Sequence, residues 1–264
     1  MCKMNKVENV TEQYQNDDHL SIRIKLHVKH STNKQGWFPW LFEHYEFAEG
    51  YRILELGCGN GNQWQSHIDR LPTDSTLVLS DFSEGMVKMV WEKYSYHKNI
   101  LSQKIDIQEI PFPDHCFDVV IANHMLYHVP DLSKAISEVH RVLRSGGKFY
   151  AATNGNGGMR TYLHHVRKLI HPNAPALSDG FSFNLQNGTE LLSKYFCDVK
   201  CYHFEDSLHI TDTQDLIDWM KSMIAISDYS ESDFDKLYDY FEAIRRKEGA
   251  IDIPKELGLF VSLK

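Results

Sequence analysis

The sequence of 264 residues contains no apolar run that approaches the roughly 18 residues needed to span a bilayer. Its first twenty residues are polar and lack the apolar centre of a secretory signal. It has five cysteines, an odd number, and none of them form a Cys-x-x-Cys pair, which predicts reduced thiols. These absences predict a cytoplasmic protein with no membrane partner.

The chain also lacks a block of lysine and arginine, and its formal net charge is −8. An acidic protein repels phosphate backbones, so we expect no nucleic acid partner. No histidine spacing matches HExxH or another zinc pattern, so no metal site is predicted. Hydrophobic residues make up 42% of the chain, enough for the core of a single generous domain.

From Tyr51 onward, short apolar runs alternate with amphipathic helical patterns, which predicts a parallel sheet with helices on its faces. The predicted strands cover residues 51–56, 76–80, 100–105, 117–122, 148–153, 196–204 and 257–263. A helix is predicted from the end of the first glycine-rich segment to Leu71. Asp131 should cap another, closed by Gly146 and Gly147. Later helices are predicted over 159–170, 216–224 and 234–241.

The N-terminal segment is ambiguous. Leu20, Ile22, Ile24, Leu26 and Val28 alternate with polar residues, and that period alone predicts a strand. A helix would instead place Leu20, Ile24 and Val28 on one face. The next stretch, from Trp37 to Tyr45, has helical spacing, and residues 1–50 are predicted to cover the domain as a lid.

The sharpest motif is Ile53-Leu-Glu-Leu-Gly57-Cys58-Gly59-Asn-Gly61, in which a strand enters three glycines. Glycine permits a tight turn and lets the backbone approach a ligand closely. A helix beginning there would favour a carboxylate or a phosphate at its free N–H groups. A tight turn without a ligand is the plain alternative.

The spacing argues against a nicotinamide dinucleotide. The dinucleotide pattern is G-x-G-x-x-G, whereas this segment has G-x-G-x-G with Asn62 in the place of the third glycine. Glu55 precedes Gly57 by two residues, where a carboxylate suits a cationic amine such as the aminoacyl end of S-adenosylmethionine and repels a pyrophosphate.

Two further carboxylates follow the next strands. Asp81 ends the second strand, where it can accept hydrogen bonds from ribose hydroxyls. Asp106 follows the third strand and can accept the exocyclic amine of adenine. Helix capping or solvation would explain each of them without a ligand.

Five motifs in order carry a family resemblance. They are Gly57-Cys-Gly-Asn-Gly61, Asp81-Phe-Ser-Glu-Gly-Met86, Asp106-Ile107, Phe117-Asp-Val-Val-Ile-Ala-Asn-His-Met-Leu-Tyr-His128 and Arg141-Val-Leu-Arg-Ser-Gly-Gly147. Over about a hundred residues the chain resembles class I S-adenosylmethionine-dependent methyltransferases. The motifs look most like the ubiquinone/menaquinone-biosynthesis type, the methyltransferase type 11 subgroup.

The resemblance implies an α/β fold, a doubly wound, Rossmann-like sheet of seven strands that is mostly parallel, with an antiparallel last strand at 257–263. It implies S-adenosyl-L-methionine as cofactor, S-adenosyl-L-homocysteine as product, and cytoplasmic methylation of a small molecule. The implied cofactor-binding residues are Glu55, Gly57, Cys58, Gly59 and Gly61 for the methionine part, Asp81 for the ribose, Asp106 and Ile107 for adenine, Phe82 and Met86 near the nucleoside, and Asn123 and His124 beside the sulfonium.

The chain is accordingly predicted to be one methyltransferase domain over 1–264. Residues 1–50 form the lid, 51–154 the cofactor-binding core, and 155–264 the acceptor-side helices and last two strands. The acceptor pocket is predicted between the lid and the segments after Thr153, with the aromatic residues Trp37, Trp40, Tyr127, Tyr162, Phe181 and Phe183 around it.

Methyl transfer needs alignment more than a nucleophilic side chain. An oxygen or carbon acceptor would still lose a proton, and His124 and His128 are the predicted catalytic bases because imidazole titrates near neutral pH. Both histidines would otherwise only shape the pocket. His27, His30, His164, His165 and His171 are predicted to be surface or core residues.

Two other functions stay open at this point. The same fold could hold S-adenosylmethionine or its product without turnover, because no base is obvious from the sequence. A nicotinamide-dependent oxidoreductase is the other alternative, against which Glu55 and the missing third glycine count.

Overall fold

The computed structural model describes residues 18–173, 181–222 and 229–264. Its strands are β1 (Arg52–Leu56), β2 (Thr76–Asp81), β3 (Ile100–Lys104), β4 (Phe117–Asn123), β5 (Leu143–Asn154), β6 (Cys197–Phe204), β7 (Ser207–Ile210), β8 (Ile251–Pro254) and β9 (Leu257–Leu263). Its helices are α1 (Asp18–His30), α2 (Trp37–His44), α3 (Asn62–Gln65), α4 (Glu84–Tyr94), α5 (Leu132–Val142), α6 (Met159–Ile170), α7 (Gly188–Leu192), α8 (Thr213–Lys221) and α9 (Glu231–Glu248).

Seven strands form one sheet in the order β3-β2-β1-β4-β5-β9-β6. Strands β1 to β5 are parallel to one another, and β9 runs antiparallel to both β5 and β6. This confirms the predicted seven-stranded, doubly wound, Rossmann-like sheet with an antiparallel strand at 257–263. The strand order reverses direction between β1 and β4, which is where open α/β sheets bind ligands.

Both faces of the sheet are buried. Along β1, Leu54 and Leu56 belong to one cluster of buried apolar side chains, and Ile53 belongs to another. Neighbouring residues of a strand point to opposite faces, so the two clusters lie on opposite sides of the sheet. Burial on both faces explains why β1, β2 and β4 have nearly continuous apolar sequences.

A third apolar cluster lies outside the main sheet. The antiparallel pair β7–β8 packs with α1, α6, α8 and α9, and their buried side chains include Leu26, Leu216, Phe241 and Ile251. This two-stranded sheet was not predicted from the sequence, because each strand has only four residues. Within the described residues, no helix has both the length and the apolar character required to cross a membrane.

The N-terminal segment is helical, so the strand alternative is wrong. Leu26 and His30, four residues apart, are buried on the inner face of α1. Ile24 and Val28 line a cavity instead, and Val28 is 78% exposed. The alternation arose because α1 carries apolar residues on two faces, one toward the protein and one toward the cavity.

Two helix boundaries differ from expectation. The helix predicted after the glycine motif is only α3, four residues long, and a separate 3-10 turn follows at Ile68–Arg70. Gly146 and Gly147 do not close α5, because Leu143 already pairs with Phe117 as the start of β5. Gly146 has a positive φ of 77° inside that strand.

Other boundaries agree with expectation. Asp131 caps α5 by accepting the N–H of Lys134 at 2.9 Å. The helices predicted over 159–170 and 234–241 are α6 and part of α9. The helix predicted over 216–224 is α8, which ends at Lys221, and Ile224 lies outside the described residues.

Candidate functional site

A cavity of about 940 Å³ opens at the carboxyl ends of β1, β2 and β4. Its lining comes from the turn after β1, the ends of β2 and β4, the segment after β3, and α1, α6 and α8. One half is bordered by the glycine turn and three carboxylates, and the other half by aromatic and basic side chains. The two halves are continuous.

The glycine turn borders the first half. Gly57, Gly59 and Gly61 all have positive φ, between 56° and 72°, a region that L side chains rarely adopt. A Cβ added at Gly57 would lie 2.8 Å from the Cβ and Cγ of Met125, which belongs to the turn after β4. The helix that follows the turn, α3, has only four residues, so its dipole is small. The polar groups that the turn offers to a ligand are therefore its own backbone N–H groups.

Asp81 is fixed by this turn. One carboxylate oxygen accepts the N–H of Gly59 at 2.9 Å, and the other accepts the N–H of Ser83 at 2.8 Å. Burial raises the pKa of Asp81, and the N–H groups of Ser83 and Gly59 counteract that rise. Each oxygen keeps a lone pair for a ligand hydroxyl.

Glu55 is 3% exposed and borders the same part of the cavity. Its carboxylate accepts the indole N–H of Trp64 at 2.5 Å. Burial raises the pKa of Glu55 to about 7, although the Trp64 bond lowers it, and the nearby Asp81 raises it further. A cationic ligand group would restore the charged form.

Asn123 and Gln63 provide a pair of buried amides at the end of β4. The amide nitrogen of Asn123 donates to the Tyr45 hydroxyl at 2.7 Å and to the Gln63 carbonyl at 2.8 Å. Among the described residues, the side-chain carbonyl oxygen of Asn123 has no hydrogen-bond partner. Asn123 lines the cavity, so this oxygen offers an acceptor to a ligand.

The cavity brings together most of the predicted cofactor-binding residues. Its lining includes Glu55, Gly57, Cys58, Gly59, Asp81, Phe82, Asp106, Ile107, Asn123 and His124. Gly61 and Met86 do not line it, because Gly61 packs on the Tyr94 ring and Met86 is fully buried in α4. Their assignment stays a prediction.

The two predicted bases differ in their surroundings. His124 directly follows β4, has a positive φ of 54°, and packs 5.3 Å, centroid to centroid, from the Trp37 ring. Burial, assisted by the positive charge of Lys255, lowers the pKa of His124 to about 4. His128 ends a 3-10 turn at Leu126–His128, and its ring packs 4.6 Å from that of Tyr127. Both line the cavity.

Sequence reasoning missed His27 and Lys255. His27 was predicted to be a surface or core residue, yet it lines the cavity from α1, and burial together with Lys255 lowers its pKa to about 3. Lys255, between β8 and β9, forms a buried ion pair with Asp206 and donates to the Ser31 hydroxyl at 3.1 Å. These residues are more than two hundred positions apart in sequence, so no local pattern could join them.

The predicted aromatic lining is only partly present. Trp37, Tyr127 and Phe181 line the cavity. His164, which was predicted to be a surface or core residue, also lines it. Trp40 and Phe183 are buried in the two clusters beside the sheet, and Tyr162 packs in the third cluster. Trp219 and Tyr229 join the lining instead.

The fold, the switch point and the carboxylates after successive strands define the class I methyltransferase architecture. Residues 54–151 match the model of a family described as a methyltransferase domain. Over these residues the chain is therefore similar to the methyltransferase domains of the type 11 subgroup, as the motifs predicted.

A curated relative is the demethylmenaquinone methyltransferase of Staphylococcus aureus, which is 31% identical over 147 residues. The match covers 55% of this chain and 59% of that protein. The chain thus spans about three fifths of the length of this relative.

Solved structures share the fold at low identity. Phosphoethanolamine N-methyltransferase 2 of Haemonchus contortus superposes with a TM-score of 0.61 at 16% identity, covering 100% of this chain and 60% of that one. The [4+2]-cyclase SpnF superposes with a TM-score of 0.59 at 15% identity, covering 97% and 95%. A cyclase among these neighbours illustrates that the fold does not fix the reaction.

Proposed function

We propose that this protein is an S-adenosylmethionine-dependent methyltransferase that acts on a small-molecule acceptor. The observation that carries the proposal is the single cavity that joins the glycine turn and its carboxylates to an aromatic half large enough for an acceptor. Methyl transfer needs two ligands in contact, and a continuous two-part cavity suits that requirement.

The residues of the first half fit the cofactor. A buried carboxylate at Glu55 suits a cationic amino group, and Asp81 has oxygens oriented by two backbone N–H groups for ribose hydroxyls. The turn at Gly57 has no room for a side chain. The unpartnered side-chain carbonyl oxygen of Asn123 supplies one further acceptor.

S-Adenosylmethionine, when bound, supplies a methyl group on a sulfonium whose leaving group is neutral. The chain has to orient the acceptor and exclude water, and alignment alone can contribute on the order of 7–11 kcal/mol. Trp37, Tyr127 and Phe181 provide flat apolar walls for an acceptor beside the end of β4. Asp106, whose carboxylate accepts the N–H of Gln108 at 2.8 Å, lines the cavity from the segment after β3.

The surroundings of His124 count against its predicted role as the base, which leaves His128 as the remaining predicted base. An imidazole with a pKa of about 4 accepts a proton weakly at neutral pH. His124 is better suited to hydrogen bonding and to shaping the pocket through its contact with Trp37.

The names of the relatives support a small apolar acceptor. The matched proteins of Staphylococcus aureus and Listeria monocytogenes are named for demethylmenaquinone. The aromatic half of this cavity suits a planar, apolar molecule of that general kind, and we include this in the proposal.

Calorimetric titration of S-adenosylmethionine and S-adenosylhomocysteine tests the cofactor. We expect wild type to bind both, and Asp81→Ala to bind about 10 to 100 times more weakly, since charge-assisted hydrogen bonds contribute about 1.5–3 kcal/mol. Asp69→Ala, an exposed acid outside the cavity, is the matched control and should bind as wild type does.

The other candidate functions predict different results. Binding of NADH without binding of either adenosyl compound would replace the proposal with an oxidoreductase. Tight cofactor binding without methylation of any component of a cell extract would favour a module that binds the cofactor without turnover.

A further inference from the structure

The aromatic half of the cavity contains two ring nitrogens that have nothing to bond. The indole nitrogen of Trp37 and Nδ1 of His27 are buried and have no hydrogen-bond partner among the described residues. Both residues line the cavity. An indole nitrogen can only donate, and burying a donor without an acceptor is unfavourable. A ligand oxygen would supply the missing acceptor.

The charges around these donors favour a negative ligand. Lys255 lines the cavity and is ion-paired with Asp206, which does not line it and is fully buried. The effect of Lys255 on the pKa of His27 exceeds the opposite effect of Asp206. Lys255 also lowers the pKa of His124. The ammonium group therefore acts on the cavity more strongly than its carboxylate partner does.

The one carboxylate that borders this part of the cavity within the described chain is already engaged. Glu256 accepts the N–H of Gly157 at 2.6 Å with one oxygen and the Gln186 amide at 2.6 Å with the other. It is therefore anchored to the loop after β5 and to Gln186.

We propose that Trp37, His27 and Lys255 form a subsite for an ionised oxygen, a carboxylate or a phenolate, carried by the apolar methyl acceptor. The proposal rests on the proposed function, because the subsite lies beside His124, whose ring packs on Trp37 at the end of β4. A phenolate there would be held in its more nucleophilic form. A carboxylate there would be either the reacting group or an anchor for the molecule.

Two probes test the subsite on the full chain with and without saturating S-adenosylhomocysteine. The first is 4-nitrophenol, titrated with protein at a pH where the free dye is half ionised. The absorbance of bound dye should show a ratio of phenolate to phenol about tenfold above that of free dye, the effect of one charge-assisted hydrogen bond. The second compares binding of 2-naphthoate with that of the uncharged 2-naphthamide, and naphthoate should bind about tenfold more tightly.

Conservative variants identify the donors. Trp37→Phe keeps a ring but removes the N–H, and His27→Phe keeps a ring but removes the imidazole nitrogens. Each should remove most of the dye shift. Trp40→Phe is the matched control, because Trp40 stacks 5.2 Å from Trp37 in the same helix but does not line the cavity. This variant should keep the shift.

The outcomes separate the two proposals. An unshifted dye together with equal binding of naphthoate and naphthamide would overturn the subsite even if S-adenosylhomocysteine binds normally. A shift that survives both Trp37→Phe and His27→Phe would overturn it as well. A shift that depends on these residues in a protein that fails to bind S-adenosylhomocysteine would support the subsite and count against the methyltransferase proposal. Preference for the dye or for naphthoate would identify the phenolate or the carboxylate as the source of the oxygen.

Discussion

At the scale of single residues, this protein keeps several ionisable groups out of water beside its cavity. Glu55 and Asp81 border the half of the cavity with the glycine turn, and Lys255, which is ion-paired with Asp206, borders the aromatic half. Burial shifts the pKa of Glu55, Asp81 and Lys255 toward the neutral form. Hydrogen-bond donors oppose this shift for the two carboxyls, and the ion pair with Asp206 opposes it for Lys255. Ligand binding should therefore change protonation as well as occupancy.

Glu55 gives the clearest such prediction. Its pKa of about 7 means that, below that pH, Glu55 is protonated in most molecules of the ligand-free protein. A cationic amino group would favour the carboxylate, so binding of S-adenosylhomocysteine should release close to one proton at about pH 6 and almost none above about pH 8. Calorimetry in buffers of different ionisation enthalpy measures this number.

Glu55→Gln should abolish the release, and the exposed Glu92→Gln should leave it intact. The raised pKa of Glu55 fixes the direction of the proton transfer. Binding can release a proton only at pH values where Glu55 is protonated in the ligand-free protein. Uptake of a proton, or release unchanged in Glu55→Gln, would show that Glu55 does not meet a cation.

At the scale of elements, the strands were predictable and several connections were not. Apolar runs between turn residues located the strands of the main sheet. The runs are clearest in β1, β2 and β4, because strands buried on both faces need continuous apolar sequence. The alternating apolar residues of α1 suggested a strand, because Ile24 and Val28 face a cavity that the local sequence does not reveal. The short β7 and β8 are defined by pairing with each other across more than forty residues.

The same limit applies to the site. The glycine turn and the acids after β1, β2 and β3 could be predicted, because the carboxyl ends of parallel strands meet at one edge. His27 and Lys255 could not, since they come from a helix before the sheet and a turn just before its last strand in sequence. Their meeting depends on packing between distant segments.

The glycine turn supports a stability prediction with an internal control. Gly57 and Gly50 have similar positive φ values of 69° and 74°, but only Gly57 faces a neighbour, Met125, at 2.8 Å from an added Cβ. Each substitution by alanine should cost about 1–2 kcal/mol of backbone strain. Gly57→Ala should cost about 1–3 kcal/mol more through overpacking, and should weaken S-adenosylhomocysteine binding.

Urea unfolding of both variants measures the difference, and titration of the cofactor product measures the binding. Equal destabilisation by Gly50→Ala and Gly57→Ala would mean that Met125 moves aside readily. Unchanged binding by Gly57→Ala would mean that the turn does not approach the ligand.

At the scale of the whole molecule, Asp206 connects three distant parts of the chain. It pairs with Lys255, accepts the Ser31 hydroxyl at 2.8 Å, and accepts the N–H of Asn33 at 3.0 Å. The segment after α1 is thereby tied to the turn between β6 and β7 and to the turn before β9. The wall of the aromatic half depends on this connection.

Asp206→Asn should therefore destabilise the fold by about 3–5 kcal/mol, because it leaves the buried Lys255 ammonium uncompensated. The urea midpoint reports the loss. Asp252→Asn, which removes an exposed carboxylate paired with His209, should leave the midpoint nearly unchanged. A loss below about 1 kcal/mol for Asp206→Asn would show that Lys255 finds water or gives up its proton.

The position of β9 between β5 and β6 also sets an order of events during synthesis. Strands β1 to β5 pair in parallel and can associate while later residues are still being added, whereas β6 pairs with β9, more than fifty residues further on. Lys255 and Glu256 immediately precede β9. A growing chain on the ribosome therefore completes the glycine turn and its carboxylates first, and the opposite wall is complete only after Lys255, Glu256 and β9 have emerged.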